Sequence, residues 1–359
     1  MIPSFRLQEE LLLAIINLPR PVGFTVSVYI ISDNPAVTVP LSIQQLHEAK
    51  LIQLIINPHN LGAPGTRNVG IKAGSSKWIL FLDDDINPNE DLLLVYAAAI
   101  DKQTDAIGFA GVTYFPAPFN AVTKAIEING TISSFTDALR KTSLSWAPTA
   151  NVMLNRLKMD KNLFDAALVN SEDVDFLTRS SIAFNEKYIS LPEAVVHHPW
   201  WNKGKMQTAR IASYGAGGMQ IAKKEPIKNY TYRDFTNTGE TLLLLILFSP
   251  LLYIAGKEKW IAFLAAALII AELLTNWIKA IVLGKTWSPA VAFHLAWCKN
   301  CYEVSYLYTA LSKGDINGFA QRIDMGFAKP HPSPFRTNRW KFIKMCILTV
   351  LLLITVITL

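Results

Sequence analysis

Cysteine is scarce: Cys298, Cys301 and Cys346 are the 3 in 359 residues. Cys298 and Cys301 form a lone C-x-x-C, and a zinc site of that type needs a second pair that is not there. The pair reads as two thiols one helical turn apart in a reducing compartment. Charge is thin too, at 17% against 51% hydrophobic residues, a balance unlike that of an ordinary soluble domain. No Lys/Arg tract and no RNA-reading motif occurs, so the net charge of +6 speaks for an anionic membrane surface and against nucleic acid. The opening MIPSFRLQEE has no basic start followed by an apolar core, so no secretory signal is read there. No internal repeat is visible.

The apolar excess is uneven. Residues 1–235 alternate like a soluble α/β domain, and after Glu240 the chain turns strongly apolar. FRLQEELLLAIINL has helical spacing, with Leu7, Leu11, Ala14, Ile15 and Leu18 on one face, and Pro19 and Pro21 end it. FTVSVYIISDN predicts a strand, SIQQLHEA a short helix and LIQLIIN a second strand. GAPGTRNVGIKAG is a Gly-rich turn running into a helix, and WILFLD is a third strand. Beyond it, NEDLLLVYAAAI predicts a helix, and AIGFAGVTYF, APTANVMLNR and YISLPEAVVHHP predict strands. NSEDVDFLTRSSIAF predicts a helix with Ser171 as N-cap and acids in its first turn. Residues 116–145 are weakly periodic and read as a loop with a short helix. The alternation predicts a mostly parallel sheet covered on both faces. Ligands of such sheets sit at the carboxyl ends of strands, where Asp33 and the Asp83–Asp85 run fall.

Thr241–Ala255 is uncharged but spans only about 22 Å as a helix, against a hydrocarbon core of about 30 Å. Trp260–Leu283 is long enough to span, and the tight GKEK connection makes a hairpin of 240–283. Glu272 falls mid-helix with Asn276 and Lys279 on its face, which is expected to meet protein or a cavity. Lys299 and Glu303 interrupt 287–311, and the basic flank 313–344 belongs on the cytoplasmic side. Segment 284–343 is therefore expected to be cytoplasmic or interfacial, and 344–359 to cross. The expectation is a multi-pass protein of the cell membrane with a cytoplasmic N-terminal domain. The shortness of the last run predicts a longer natural chain.

Asp83, Asp84 and Asp85 close the WILFL strand. Adjacent carboxylates repel, and desolvating them is costly without a partner. The run points to a positive partner, most simply a divalent metal. Asp84 also has a plain reading, as a cap of the turn.

In order along the chain, these segments resemble the family 2 glycosyltransferases with the nucleotide-sugar-binding GT-A fold, over residues 1–235. SDN at 32–34 is similar to the strand-end acidic motif that holds the nucleotide base, through Asp33. NLGAPGTRNVGI is similar to the Asn-Gly…Arg-Asn-x-Gly signature, and brings Arg67 to phosphate or to the base-holding acid. FLDDDINP resembles the D-x-D metal motif, TANVMLNR with LFD (163–165) the acceptor-side segment, SEDVDFLTR the Glu-Asp motif and VVHHP the late histidine. The resemblance implies inverting transfer from a nucleotide-sugar donor to a lipid-linked or cell-envelope glycan acceptor. It implies Mg²⁺ or Mn²⁺ on Asp85, with Asp83 on the ribose or a metal water and His198 as third ligand or on the diphosphate. Pro3, Ser4, Asp33, Arg67, Asp83 and Asp84 would line the donor. Asp173, with Glu172 second, would be the base. Asn151, Trp146 and Trp200 would lie on the acceptor side, the tryptophans, with Trp201, as sugar-stacking rings.

The chain departs from that pattern at its start. Arg6 follows Pro3-Ser4-Phe5 where Asn is common, and the first, central strand is almost missing, which points to a start upstream of Met1. Gln207–Arg210 is followed by Ile211 and not by the Trp of processive synthases, which favours single addition. Two other readings stand beside the transferase: a degenerate nucleotide-sugar-binding or scaffold protein of a glycan assembly complex, and a metal-dependent phosphohydrolase. The second leaves SEDVD and TRNVG unexplained.

Overall fold

A computed structural model describes every residue except Val169 and Leu359. It divides into two compact units, the first made of Met1–Ala117 and Ile132–Trp200, the second of Pro118–Thr131 and Trp201–Leu359.

In chain order the first unit opens with β1 (Ile2–Ser4), α1 (Glu9–Ile16), β2 (Tyr29–Ser32), α2 (Leu41–Glu48), β3 (Gln53–Ile56), α3 (Gly62–Ala73) and β4 (Trp78–Leu82). Next come β5 (Asn87–Pro88), α4 (Leu92–Lys102) and β6 (Gly108–Tyr114). After α5 (Ala121–Asn129), which belongs to the second unit, follow β7 (Ser143–Leu144), β8 (Asn151–Asn155), α6 (Glu172–Phe184) and β9 (Tyr188–His197). The phase of α1 differs from its expected stripe. Leu12, Ile15 and Ile16 are its buried residues, and Leu7 lies outside the helix at φ 47°. Among the described residues the hydroxyl of Ser171 makes no cap bond, and the residue takes a left-handed conformation at φ 66°.

Strands β1, β2 and β3 pair in parallel. The larger sheet runs β4-β8-β6-β9-β5, with β7 also on β9. There β8 is antiparallel to β4 and β6, β9 is parallel to β6, and β5 and β7 are antiparallel to β9. The sheet is mixed, which corrects the expectation of a mostly parallel one. The physical reason is β8. All five of its residues are buried, and a doubly buried run shows that a strand is there but not which way it points.

The short first strand is present and seated. The Met1 ammonium donates to Leu80 O at 2.8 Å, Leu82 N–H donates to Met1 O at 3.2 Å, and Asp33 N–H donates to Ser4 O at 2.8 Å. Residues 1–4 thus join β2 to β4. Adjacent side chains of β4 go to opposite cores. Phe81 packs with Val112, Val152, Phe164 and Phe176, and Leu82 packs with Ile2, Ile30, Tyr96 and Val196. Each such fully buried side chain contributes roughly 1.5–3 kcal/mol.

The second unit contains α5, α7 (Thr208–Ala222), β10 (Thr231–Arg233), α8 (Thr238–Ile254), α9 (Glu258–Gly284), α10 (Pro289–Ser312), β11 (Gln321–Ile323) and α11 (Arg339–Thr358). Strand β10 pairs antiparallel with β11. Gly215 lets α7 close on α10, because a Cβ there would strike Tyr302 O. Among the described residues, two helices are long and apolar enough to cross a membrane, α9 and α11, with α8 a shorter apolar one. Helix α11 starts ahead of the expected 344–359 span, whose last residue, Leu359, lies outside the described residues. Cys298 is buried, and Cys298 and Cys301 are free thiols.

Candidate active site

Ser4 ends β1, Asp33 follows β2, Asn57 follows β3 and Asp83–Asp85 follow β4, so these polar residues line one edge of the parallel strands. At that edge the strands stop, and the polar side chains gathered there must pair with one another or with a ligand.

Asp33 is buried, and its Oδ1 accepts from Asn57 Nδ2 at 2.9 Å and from Leu61 N–H at 2.8 Å. Asn57 also donates to Thr66 Oγ1 at 3.1 Å. These bonds fix Asp33 without help from Arg67, so of the two partners expected for Arg67, phosphate or the base-holding acid, Asp33 is not in contact with it among the described residues. Arg67, on α3, turns instead toward the run after β4. Its Nη1 lies 2.6 Å from Glu172 Oε1 and its Nη2 lies 3.4 Å from Asp83 Oδ1. Burial alone would lower the guanidinium pKa, but Glu172, Asp83 and Asp173 outweigh it and raise it. Its Nε is buried with no hydrogen-bond partner among the described residues.

The three adjacent acids go three ways. Asp84 Oδ2 accepts from Ser4 Oγ at 2.6 Å, so the middle acid staples the end of β1 to the turn. Ser4 is thereby tied to Asp84, and Pro3 is a paired residue inside β1 opposite Ile31. Asp83 faces Arg67, and burial holds its carboxyl above the usual range, with Arg67 pulling it down. Asp85 Oδ1 lies 3.1 Å from His198 Nε2. His198 Nδ1 lies 2.6 Å from Pro199 O, a carbonyl that can only accept, so Nδ1 carries a proton. Burial would lower the His198 pKa, but the bond to Asp85 and its charge raise it. One ligand atom each from Asp83, Asp85 and His198 lies within 4.8 Å of the others. Two carboxylates and an imidazole whose other nitrogen is held by a carbonyl form a donor set that suits a divalent cation.

Glu172 and Asp173 open α6 beside this cluster. Burial and the neighbouring Glu172 push the Asp173 carboxyl up to about 7, while Arg67 and the Val174 N–H pull it down. A carboxylate in that range can take a proton at neutral pH.

Three expected acceptor-side residues are engaged elsewhere. Asn151 is buried in β8. Its amide donates to Val112 O at 3.1 Å and Ala194 O at 2.8 Å, and its carbonyl accepts from Tyr96 Oη at 2.8 Å. It cross-links three strands and α4 and offers nothing to an acceptor. Trp200 is buried too, with its indole N–H on Pro116 O at 3.0 Å and its ring 5.3 Å from Phe115. Trp146 is half-buried against the core around Phe81 and Phe176.

Sequence reading missed two contributors. Asn57 has no motif of its own, and only its place after an expected strand marks it. Phe115 stacks on His198 at 4.8 Å between centroids and orients the imidazole. Arg6, noted as a departure, brings Nη2 to 3.9 Å of Asp85 Oδ2 from an exposed position.

Residues 15–164 match the family described as Glycosyl transferase family 2. A pre-mycofactocin glycosyltransferase of Mycobacterium tuberculosis is 22% identical over 277 residues, or 73% of this chain. The chain spans 57% of that relative's length. Among solved structures, the chain is similar to mannosyltransferase PcManGT from Pyrobaculum calidifontis in complex with GDP-Man and Mn²⁺. The TM-score is 0.50 at 16% identity, over 88% of this chain and 86% of that one. It is also similar to S. aureus TarS 1–349 in complex with UDP, with a TM-score of 0.44 at 16% identity, over 94% and 98% of the two chains. The PcManGT likeness carries the fold alone.

Proposed function

We propose, from the premise that this glycosyltransferase carries a family 2 domain at residues 15–164 on a mixed-sheet GT-A-like fold, that it moves a sugar from a nucleotide-sugar donor with inversion. The acceptor is a lipid-linked or cell-envelope glycan, met at a membrane that α9 and α11 enter, with the catalytic domain on the cytoplasmic side. The observation that carries the reading is the meeting of Asp83, Asp85 and His198 within 4.8 Å, beside the raised Asp173 carboxyl.

Asp33, fixed by Asn57 and Leu61 N–H, is the acceptor for the donor base. Arg67 screens Asp83 and Glu172 and keeps the acids from repelling one another. Asp83, Asp85 and His198 would hold Mn²⁺ or Mg²⁺, and the single imidazole favours Mn²⁺. An ion bound there would offset the charge of the departing diphosphate. Asp173 takes the proton of the acceptor hydroxyl as its oxygen bonds to the anomeric carbon and the bond to the diphosphate oxygen breaks. One displacement inverts that carbon, so no sugar–enzyme bond is needed.

The test is transfer or hydrolysis of a panel of nucleotide sugars with Mn²⁺, comparing wild type with Asp85→Ala and Asp173→Asn. Loss of turnover in both variants supports the reading. Equal turnover in all three proteins removes the residue assignments, and phosphate release without a sugar acceptor would favour a phosphohydrolase.

A further inference from the structure

Within the second unit, α9, α10 and α11 border a half-open cavity of about 320 Å³ that Asp234 and Arg322 also line. Its wall is charged although the helices around it are apolar. Glu272, in the middle of α9, accepts from Lys299 Nζ at 2.8 and 3.0 Å, from Asn276 Nδ2 at 2.8 Å and from Thr238 Oγ1 at 2.8 Å. Lys344 Nζ lies 2.7 Å from the same carboxylate. Lys341 pairs with Asp234 at 2.7 Å, Arg322 with Glu240 at 2.7 Å, and Lys299 reaches Glu303 at 3.5 Å.

Two groups on this wall are under-partnered. Lys279 makes no hydrogen bond or ion pair among the described residues, and five cations line the cavity with three carboxylates, Asp234, Glu272 and Glu303. Glu303 is 7% exposed, and the partner of its Oε2 among the described residues is Lys299 Nζ at 3.5 Å, longer than a charge-assisted hydrogen bond. A partly buried ammonium without an ion-pair partner is costly, and a buried carboxylate oxygen held only at that distance can take a further donor. One ligand would satisfy both if it carried a negative charge and a hydroxyl.

We propose that this cavity binds a phosphate ester bearing free hydroxyls, with the phosphate on Lys279 and a hydroxyl donating to Glu303. Lys279 lies near the C-terminal end of α9 and Lys341 in the first turn of α11, the two helices apolar enough to cross a membrane. That position suits the headgroup of a glycerol-bearing phospholipid, and soluble glycerol 3-phosphate carries the same groups.

The experiment uses the full chain in non-ionic detergent, titrated with glycerol 3-phosphate and methyl phosphate. A second arm uses vesicles of phosphatidylcholine with and without phosphatidylglycerol. Lys279→Gln is compared with Lys313→Gln, an exposed lysine that reports general attraction to anions. The expected result is binding weakened at least about tenfold by Lys279→Gln, as for loss of a charge-assisted bond, and less by Lys313→Gln. Binding of glycerol 3-phosphate in detergent assigns a soluble ligand, and binding of phosphatidylglycerol vesicles alone assigns a lipid. Equal losses in the two variants overturn the site. Equal affinity for methyl and glycerol phosphates overturns the contact with Glu303. A melting temperature for Lys279→Gln at or above wild type shows that the fold is intact, since that variant removes an unpaired charge.

Discussion

Arg67 Nη1 lies 2.6 Å from Glu172 Oε1, and this ion pair ties the start of α6 to the acids that follow β4. Both side chains are largely buried. Removing one partner of such a pair strands the other charge and costs about 3–5 kcal/mol. Arg67→Ala is therefore expected to lower stability by that amount in urea denaturation. It is also expected to raise the Asp173 pKa further, because Arg67 is one of the groups holding it down. An unchanged denaturation midpoint would show that the pair contributes nothing.

The candidate cation site gives a second prediction. Asp85→Ala and His198→Gln each remove a proposed ligand, and each is expected to weaken Mn²⁺ binding at least about tenfold. Phe115→Ala removes no ligand but frees the imidazole that Phe115 stacks on at 4.8 Å. It is expected to weaken Mn²⁺ by about 10-fold, at the lower end of outer-shell effects. Calorimetric titration of Mn²⁺ into the four proteins checks all three. Tight binding in Asp85→Ala would move the site elsewhere.

Asn151 yields a prediction opposite to the one its motif implies. Asn151→Ala leaves Tyr96 Oη, Val112 O and Ala194 O without their bonds to the amide. Each unsatisfied buried group costs about 1–3 kcal/mol, so the variant is expected to be strongly destabilised. Its KM for acceptor, measured below its melting point, should match wild type. A raised KM with unchanged stability would restore the acceptor-side reading.

Much of the candidate site's arrangement was legible in sequence because its residues sit where strands end. Asp33, Asp83, Asp85 and His198 each follow an apolar run, and the strand period locates that end within a residue or two. Partners were less legible. Arg67 could be placed on a helix after a Gly-rich turn, but its choice of Glu172 over Asp33 depends on where α6 lies, some hundred residues on. The direction of β8 was hidden because both its faces are buried. Asn151 reads like a motif residue because a buried polar side chain and a catalytic one look alike until their hydrogen bonds are seen. The expected face of α1 includes Leu7, but a residue at φ 47° lies outside the helical region.

The last prediction concerns pH. The Asp173 carboxyl is pushed up to about 7 from an ordinary value of 3.8. As the proposed base it would work only when ionised, so kcat/KM is expected to climb about tenfold per pH unit below 7 and to level off above it. Stability should move the other way. A carboxyl whose folded pKa exceeds its unfolded one binds more protons in the folded state between the two values. Its contribution is whole below 3.8 and is lost as pH rises through about 7. Asp173→Asn cannot titrate, so it should abolish the rate limb and flatten that fall in stability together. Denaturation midpoints from pH 5 to 8, set beside the rate profile, check both. A variant that loses activity but keeps the wild-type slope in stability would mean that another group carries the proton.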